Sequence, residues 1–302
     1  MYKTKSPVLF LIFNRPEATQ RVFEKIREVK PDVLYIAADG PRSEKIGEHE
    51  ICQATRNSIV VDWDCEVHTL YREKNLGCKN AVSGGIKWFF NHVTEGIVLE
   101  DDCLPDTSFF YYCDTLLEKY RFDSRIGHIS GTNMSINRRF GDASYYFTKF
   151  TNVWGWASWN RVWKDYDENL TLLDDFISGD MFKNVFPDED MAKAFINALT
   201  MTQSGALNTW DYQYAFLNFW NNRLSLSSNY NLISNIGYNN QGTHTADANH
   251  KYANVPLESV QEITHPKFVL PSLDADRYVF NLERRTFKDR LISKLARLKM
   301  SL

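Results

Sequence analysis

The chain has little net charge: its 35 basic side chains are nearly balanced by 38 acidic ones, leaving −3 over 302 residues. Such a protein presents no global field to a polyanion, so nucleic acid is not an expected partner and any cationic function has to be local. Long apolar runs are also missing. Val8 to Phe13 is apolar but is broken at once by Asn14, Arg15 and Pro16, which is too short for a signal peptide or a spanning helix. A cytoplasmic protein, attached at most peripherally to the inner membrane, is the expectation. The five cysteines, Cys52, Cys65, Cys78, Cys103 and Cys113, are odd in number and lack the paired short spacings of zinc or disulfide frameworks, in keeping with a reducing compartment. No Gly-Lys-Ser/Thr phosphate loop, Gly-x-Gly-x-x-Gly turn, internal repeat or low-complexity tract occurs.

What is present suits a sizeable core: 43% of residues are hydrophobic and 14% aromatic. Val8 to Phe13 and Val33 to Ala38 read as buried strands, and Cys65 to Leu70 as a third. Gly96 to Leu99 completes the set as an apolar run ending in acids. Between them, helices are expected from Pro16 to about Val29, from Glu44 to about Val61, and from Lys79 to Val93. This alternation predicts an α/β fold, a mostly parallel central sheet flanked by helices. Residues 1–250 are expected to form that domain and residues 251–302 a helical C-terminal extension.

In such sheets ligands bind at the carboxyl ends of the strands. That rim collects Asn14 and Arg15, then Asp39, Pro41 and Arg42, then Arg72, Asn75 and Gly77, and finally Glu100, Asp101 and Asp102. Arg15 and Arg72 are suited to pairing with phosphate, and Asp39 to a base or ribose edge. Three adjacent carboxylates at a buried strand end repel one another, and a divalent metal is a common remedy. Each residue alone also fits a turn or a surface ion pair; their shared edge is what singles them out. Pro105 is expected to close the turn after the acids.

The opening strand with Arg15, the strand ending at Asp39, the Asn75-Leu76-Gly77 turn, and Val98-Leu99-Glu100-Asp101-Asp102 followed by Pro105 and Phe109-Phe110-Tyr111 resemble the N-acetylglucosaminyltransferase I family. His128 to Asn133, Val153-Trp154-Gly155-Trp156-Ala157 and Trp210-Asp211 follow in that family's order, so the resemblance spans roughly Val8 to Thr245. It is also similar to bacterial relatives that lack the Golgi anchor. The resemblance implies a GT-A type, Rossmann-like fold and an inverting transfer of sugar from a nucleotide-sugar, a UDP-sugar above all, to a glycan or lipid-linked acceptor in surface polysaccharide synthesis. It implies further that Asp102 is the direct protein ligand of Mn²⁺ (or Mg²⁺), that Glu100 and Asp101 hydrogen-bond the donor sugar and ribose, and that Arg15 and Asp39 contact the nucleotide, Asp39 at the uracil edge.

Inversion requires a base for the attacking hydroxyl. Asp211 is the candidate, in the first turn of a helix to about Asn221 with Asn208 and Thr209 as caps; a carboxylate there also suits the helix dipole with no further role. Asp174 and Asp175 are reserves. Most of the aromatic run from Tyr145 to Trp163 reads as core, but Trp154 and Trp156 flank Gly155 and are the best sugar contacts. Arg138 and Arg139 are placed to cover the diphosphate. Ser225 to Asn249 is expected to be loop with one short strand, serving as a lid, with His244 more plausible as a hydrogen-bonded loop residue than as a ligand. From Arg284 to Leu302, basic residues interleave with leucines at helical spacing, the pattern either of an in-plane membrane helix or of a docked terminal helix. Two other function classes share parts of this pattern. A sugar-nucleotide pyrophosphorylase would carry a Gly-rich turn where Phe13-Asn14-Arg15-Pro16 stands, and a glycan-binding module would not need the acids.

Overall fold

The computed structural model describes residues 2–136, 138–238 and 250–284. Its first part follows the expected alternation: β1 (Val8–Ile12), α1 (Pro16–Val29), β2 (Val33–Ala38), α2 (Glu48–Asn57), β3 (Glu66–Tyr71), α3 (Gly77–Phe90) and β4 (Glu95–Glu100). β1 is buried along its whole length and β2 and β4 along nearly all of theirs, the consequence of continuous apolar runs covered on both faces. α1 opens with Pro16, whose missing N–H costs nothing there. It buries Val22, Phe23, Ile26 and Val29 on one stripe and ends at Lys30 in the left-handed conformation. α2 is shorter than the polar run 44–61 suggested.

Then come β5 (Cys103–Pro105), α4 (Ser108–Tyr120), β6 (Ile126–Ser130), β7 (Tyr145–Thr148), β8 (Trp156–Trp159), α5 (Asn160–Trp163), α6 (Leu173–Ser178), α7 (Phe182–Val185), α8 (Glu189–Gln203), α9 (Asp211–Trp220), β9 (Leu224–Ser228) and β10 (Ile233–Asn235). Eight strands form one sheet in the order β3-β2-β1-β4-β8-β6-β9-β7. β3, β2, β1 and β4 are mutually parallel, β8 runs against both β4 and β6, β9 is parallel to β6, and β7 is antiparallel to β9. The protein is therefore α/β, with a mixed sheet whose parallel half carries the acids.

Two local expectations are corrected. Pro105 does not simply close a turn: Cys103–Pro105 is a strand that pairs antiparallel with β10. The segment 225–238 holds two strands rather than one, since β9 lies inside the sheet between β6 and β7. Its alternating Leu and Ser are all buried, and serines in that number look like loop unless their hydroxyls find partners inside. The aromatic run is core, as expected of most of it: Trp156 and Trp159 are fully buried, and Trp163 stacks on Tyr166 at 4.4 Å.

Residues 250–284 are tied to the sheet. Ser272 N donates to Phe147 O (2.8 Å), Thr264 N to Ser144 Oγ (2.9 Å), Asn254 N to Asn235 O (3.1 Å), and Thr148 Oγ1 to Asp276. Helical residues 273–284 pack against the α8–α9 layer. No helix among the described residues is long and apolar enough to cross a membrane. His244 and the basic tail beyond Arg284 lie outside the described residues.

Candidate active site

The rim of the parallel half forms a cleft of about 350 Å³, within the size range of small-molecule sites. At the end of β2, Asp39 accepts hydrogen bonds from the N–H groups of Gly40 (2.9 Å), Leu76 (3.0 Å) and Gly77 (3.2 Å) and from Asn75 Nδ2 (2.9 Å). Burial pushes its carboxyl up, and these backbone donors work against the rise. Both oxygens accept from the turn that launches α3, and Asp39 also lines the cleft. Its task is to hold Asn75, Leu76 and Gly77 at the rim. Arg56 Nη2 helps by bridging Asp39 O (3.1 Å) and Arg72 O (2.7 Å), the ends of β2 and β3. Gly77 has φ +77°, a conformation glycine adopts without strain.

Arg72 lines the same cleft and is half-buried; Nη1 donates to Ala81 O at 3.2 Å. Among the described residues it makes no ion pair. Burial lowers its pKa, and the charge of Asp39 counteracts this. The guanidinium lies along α3 at Ala81 and Gly84, inside the cleft that the first residues of that helix also line, and without a carboxylate partner among the described residues it is suited to an anion.

The acids stand on the neighbouring strand end. Arg15 Nη1 bonds Asp101 Oδ1 (3.0 Å) and Asp102 Oδ2 (2.7 Å), and Phe13 N donates to Asp101 Oδ2 (3.1 Å). Burial works against the Arg15 charge, but the two aspartates outweigh it and hold the guanidinium above its ordinary value. Glu100 has no hydrogen-bond partner among the described residues, although it lines the cleft. Burial first, then the charges of Asp102 and Asp101, push its carboxyl well up; Asp101 is also raised by burial, against the pull of Arg15. Arg15 thus pairs directly with two of the three carboxylates, while burial and the neighbouring acids favour the protonated form of Glu100. Ile236 N donates to Asp102 O (2.8 Å), and a Cβ on Gly237 would overlap Asp102 Oδ2, so the segment after β10 lies directly on this acid. No cluster of three or more His, Cys, Asp or Glu positioned to hold a metal occurs among the described residues. The donor set fits a cation held by a single side chain and completed by oxygens from outside the protein, and it does not fit a closed protein cage.

Asp211 is the first residue of α9, close to the expected position. The cap differs, because Trp210 occupies the N-cap and Thr209 Oγ1 instead donates to Asp211 Oδ1, as does Tyr212 N at 3.0 Å. Among the described residues, Oδ2 receives no donor. Asn208, three residues earlier, lines the rim cleft. Cys78 sits between the two sides; its thiol is pushed up to about 12 by burial and by the charges of Glu100 and Asp211. Asn208 and Cys78 were not singled out as site residues. Their positions next to Asp211 and at the start of α3 were the available signals.

The other candidates lie away from this cleft. Trp156 is fully buried in β8, its ring 6.0 Å from that of Trp210 and 5.4 Å from His128, so it has no face for a sugar. Trp154 is partly buried and edge-on to Tyr238 and Tyr252, and neither tryptophan lines the cleft. Gly155, at φ +60°, is needed because a Cβ would strike Ile233. Arg138 lies over the rings of Phe140 and Tyr278, and Arg139 pairs with Glu258 (2.9 Å) above Tyr230; neither covers the cleft. Asp174 and Asp175 are exposed on α6 and line neither that cleft nor the pocket beside Asp211.

No protein-family model and no curated protein matches this chain. Among solved structures, it is similar to a mannosyltransferase, PcManGT from Pyrobaculum calidifontis, crystallised with GDP-Man and Mn²⁺ (13% identity, 54% of this chain and 47% of that one, TM-score 0.34). It is also similar to S. aureus TarS 1-349 (10%, 54% and 49%, 0.35) and to an apo UDP-glucose pyrophosphorylase (10%, 77% and 93%, 0.38). The chain spans about half the length of the first two. At these scores the likeness decides nothing about function.

Proposed function

We propose that this protein is a metal-dependent inverting glycosyltransferase that moves a sugar from a nucleoside-diphosphate donor, a UDP-sugar in the first instance, to a glycan or lipid-linked acceptor. The observation that carries this reading is the composition of the cleft: Arg72, which makes no ion pair among the described residues, the first residues of α3, and Glu100 and Asp101 on its wall with Asp102 next in sequence and paired to Arg15, with Asp211 close enough to act on Glu100 electrostatically. Arg72 and the α3 N-terminus bind the diphosphate. Arg15 orients Asp101 and Asp102 and contributes positive charge to the same group. Glu100, without a protein donor, accepts from donor hydroxyls. Asp102 would hold Mn²⁺ or Mg²⁺, which supplies charge neutralisation to the departing diphosphate. Asp211 takes the acceptor's hydroxyl proton while that oxygen bonds to the anomeric carbon and the carbon–phosphate-oxygen bond breaks, the electron pair leaving with the diphosphate.

Calorimetry with UDP separates this reading from its rivals. Binding should require Mn²⁺, disappear with chelator, and disappear in Asp102→Ala. Asp211→Asn should bind donor normally and lose roughly 10²- to 10⁴-fold in transfer rate, the usual worth of a general base. Metal-independent UDP binding would count against the metal role. Pyrophosphate-driven formation of nucleotide triphosphate, undiminished in Asp211→Asn, would replace transfer by pyrophosphorolysis.

A further inference from the structure

A second concavity, of about 460 Å³, lies between α8, α9 and helical residues 273–284. Phe150, Phe195, Ala215, Val279 and Phe280 give it mainly apolar walls, and Asp211 stands among its lining residues. The loop 208–211 thus faces two spaces: Asn208 lines the nucleotide cleft, and Asp211 lines this pocket. We propose that the pocket is the acceptor subsite, and that it selects an acceptor whose reacting hydroxyl is carried next to an apolar group, an alkyl chain or an aromatic ring. This rests on the transferase reading above.

The walls argue against a bare sugar. Sugar hydroxyls taken from water need hydrogen-bond partners; Thr151, Asn152 and Tyr212 can supply some alongside Asp211, but seven of the thirteen lining residues are apolar side chains that supply none. An apolar group gains from the same walls by leaving water. Of the charged residues at the far wall, Arg284 pairs with Asp190 at 2.5 Å and Glu283 lies 3.7 Å from Lys251 Nζ. Polar function is concentrated on Asp211, where both protein donors bond Oδ1 and leave Oδ2 for an incoming hydroxyl. An acceptor with one hydroxyl-bearing end and one apolar end matches that layout.

Methyl, octyl and p-nitrophenyl β-glucosides, the octyl compound kept below its micelle concentration, test the proposal by calorimetry on the full chain. Octyl or p-nitrophenyl glucoside should bind at least roughly tenfold more tightly than methyl glucoside, and the two arms tell an alkyl from an aryl preference. Ala194 is exposed on α8 at the edge of the pocket. Ala194→Trp, which fills the mouth, and Ala194→Glu, which charges it, should each remove the preference; thermal unfolding of both variants, read alongside, reports folding. Equal affinity for all three glucosides overturns the proposal, as does a preference that survives both substitutions. UDP-sugar binding and hydrolysis are measured on the same samples. If these are absent while the Ala194-sensitive preference remains, the transferase reading falls and the acceptor assignment with it. If they are present and the preference is absent, only the acceptor assignment falls.

Discussion

His128 is fully buried on β6, with Nε2 2.8 Å from Asn152 O and Nδ1 3.3 Å from the Tyr214 hydroxyl. Burial pulls its pKa down to about 4, with the bond to Asn152 O opposing. Its folded pKa lies below the unfolded one, so the native state binds fewer protons here. The stabilisation is complete above the ordinary value of 6.5 and is lost as pH falls toward 4. That amounts to about 3 kcal/mol. Asp276, pushed up to about 6 mainly by burial, has the opposite sign and gains stability over the same range. The comparison to make is therefore between wild type and His128→Gln. Their urea-unfolding free energies should diverge between pH 4 and 6.5, with the wild type losing more as pH falls; parallel curves would refute the assignment. Single residues also mark where sequence reading stops. Asp39 was recognisable as a rim carboxylate. Its hold on the α3 turn was not, because its partners Asn75, Leu76 and Gly77 arrive from a later loop. Likewise, Trp154 and Trp156 are equivalent in sequence, and only the strand's surroundings make one wholly core.

The legible elements were those whose burial is written as uninterrupted apolar residues. β1, β2 and β4 and helix α1 fall where the sequence puts them, so the rim they form is legible in the sequence. β9 and β5 escaped because one is half serine and the other contains a proline, and both are specified by partners distant in the chain. α3 shows how an element positions the site. Gly85 lets it settle onto the sheet: a Cβ there would lie 3.0 Å from Leu11 Cδ2 and 3.2 Å from the Ala37 Cβ. Gly85→Leu should force the helix away from β1 and β2 and cost about 2 kcal/mol by overpacking. Because α3 begins at Gly77 in the cleft, UDP binding should weaken along with it. Denaturant midpoint and calorimetric affinity measured together check both, and an unchanged midpoint would show that the contact is not tight.

At the scale of the molecule, residues 251–284, part of the expected extension, contribute buried residues to the body. Tyr252, Val260, Ala275 and Val279 are buried, and Glu258 receives Asn231 N at 2.8 Å while pairing with Arg139. A chain ending at residue 250 should therefore unfold at a markedly lower temperature and be cut faster by protease; unaltered thermal unfolding would establish a separable domain after all. The short β5–β10 ladder has a further consequence, one of timing. It joins Cys103 to Asn235 and brings Ile236 N to Asp102 O, so the surroundings of the acids close only when late chain meets early chain. Contacts of such long sequence separation form slowly. In refolding, regained UDP affinity should trail the far-ultraviolet signal of the helices, and a nascent chain that has already formed β1 to β4 remains inactive until β10 has emerged and docked.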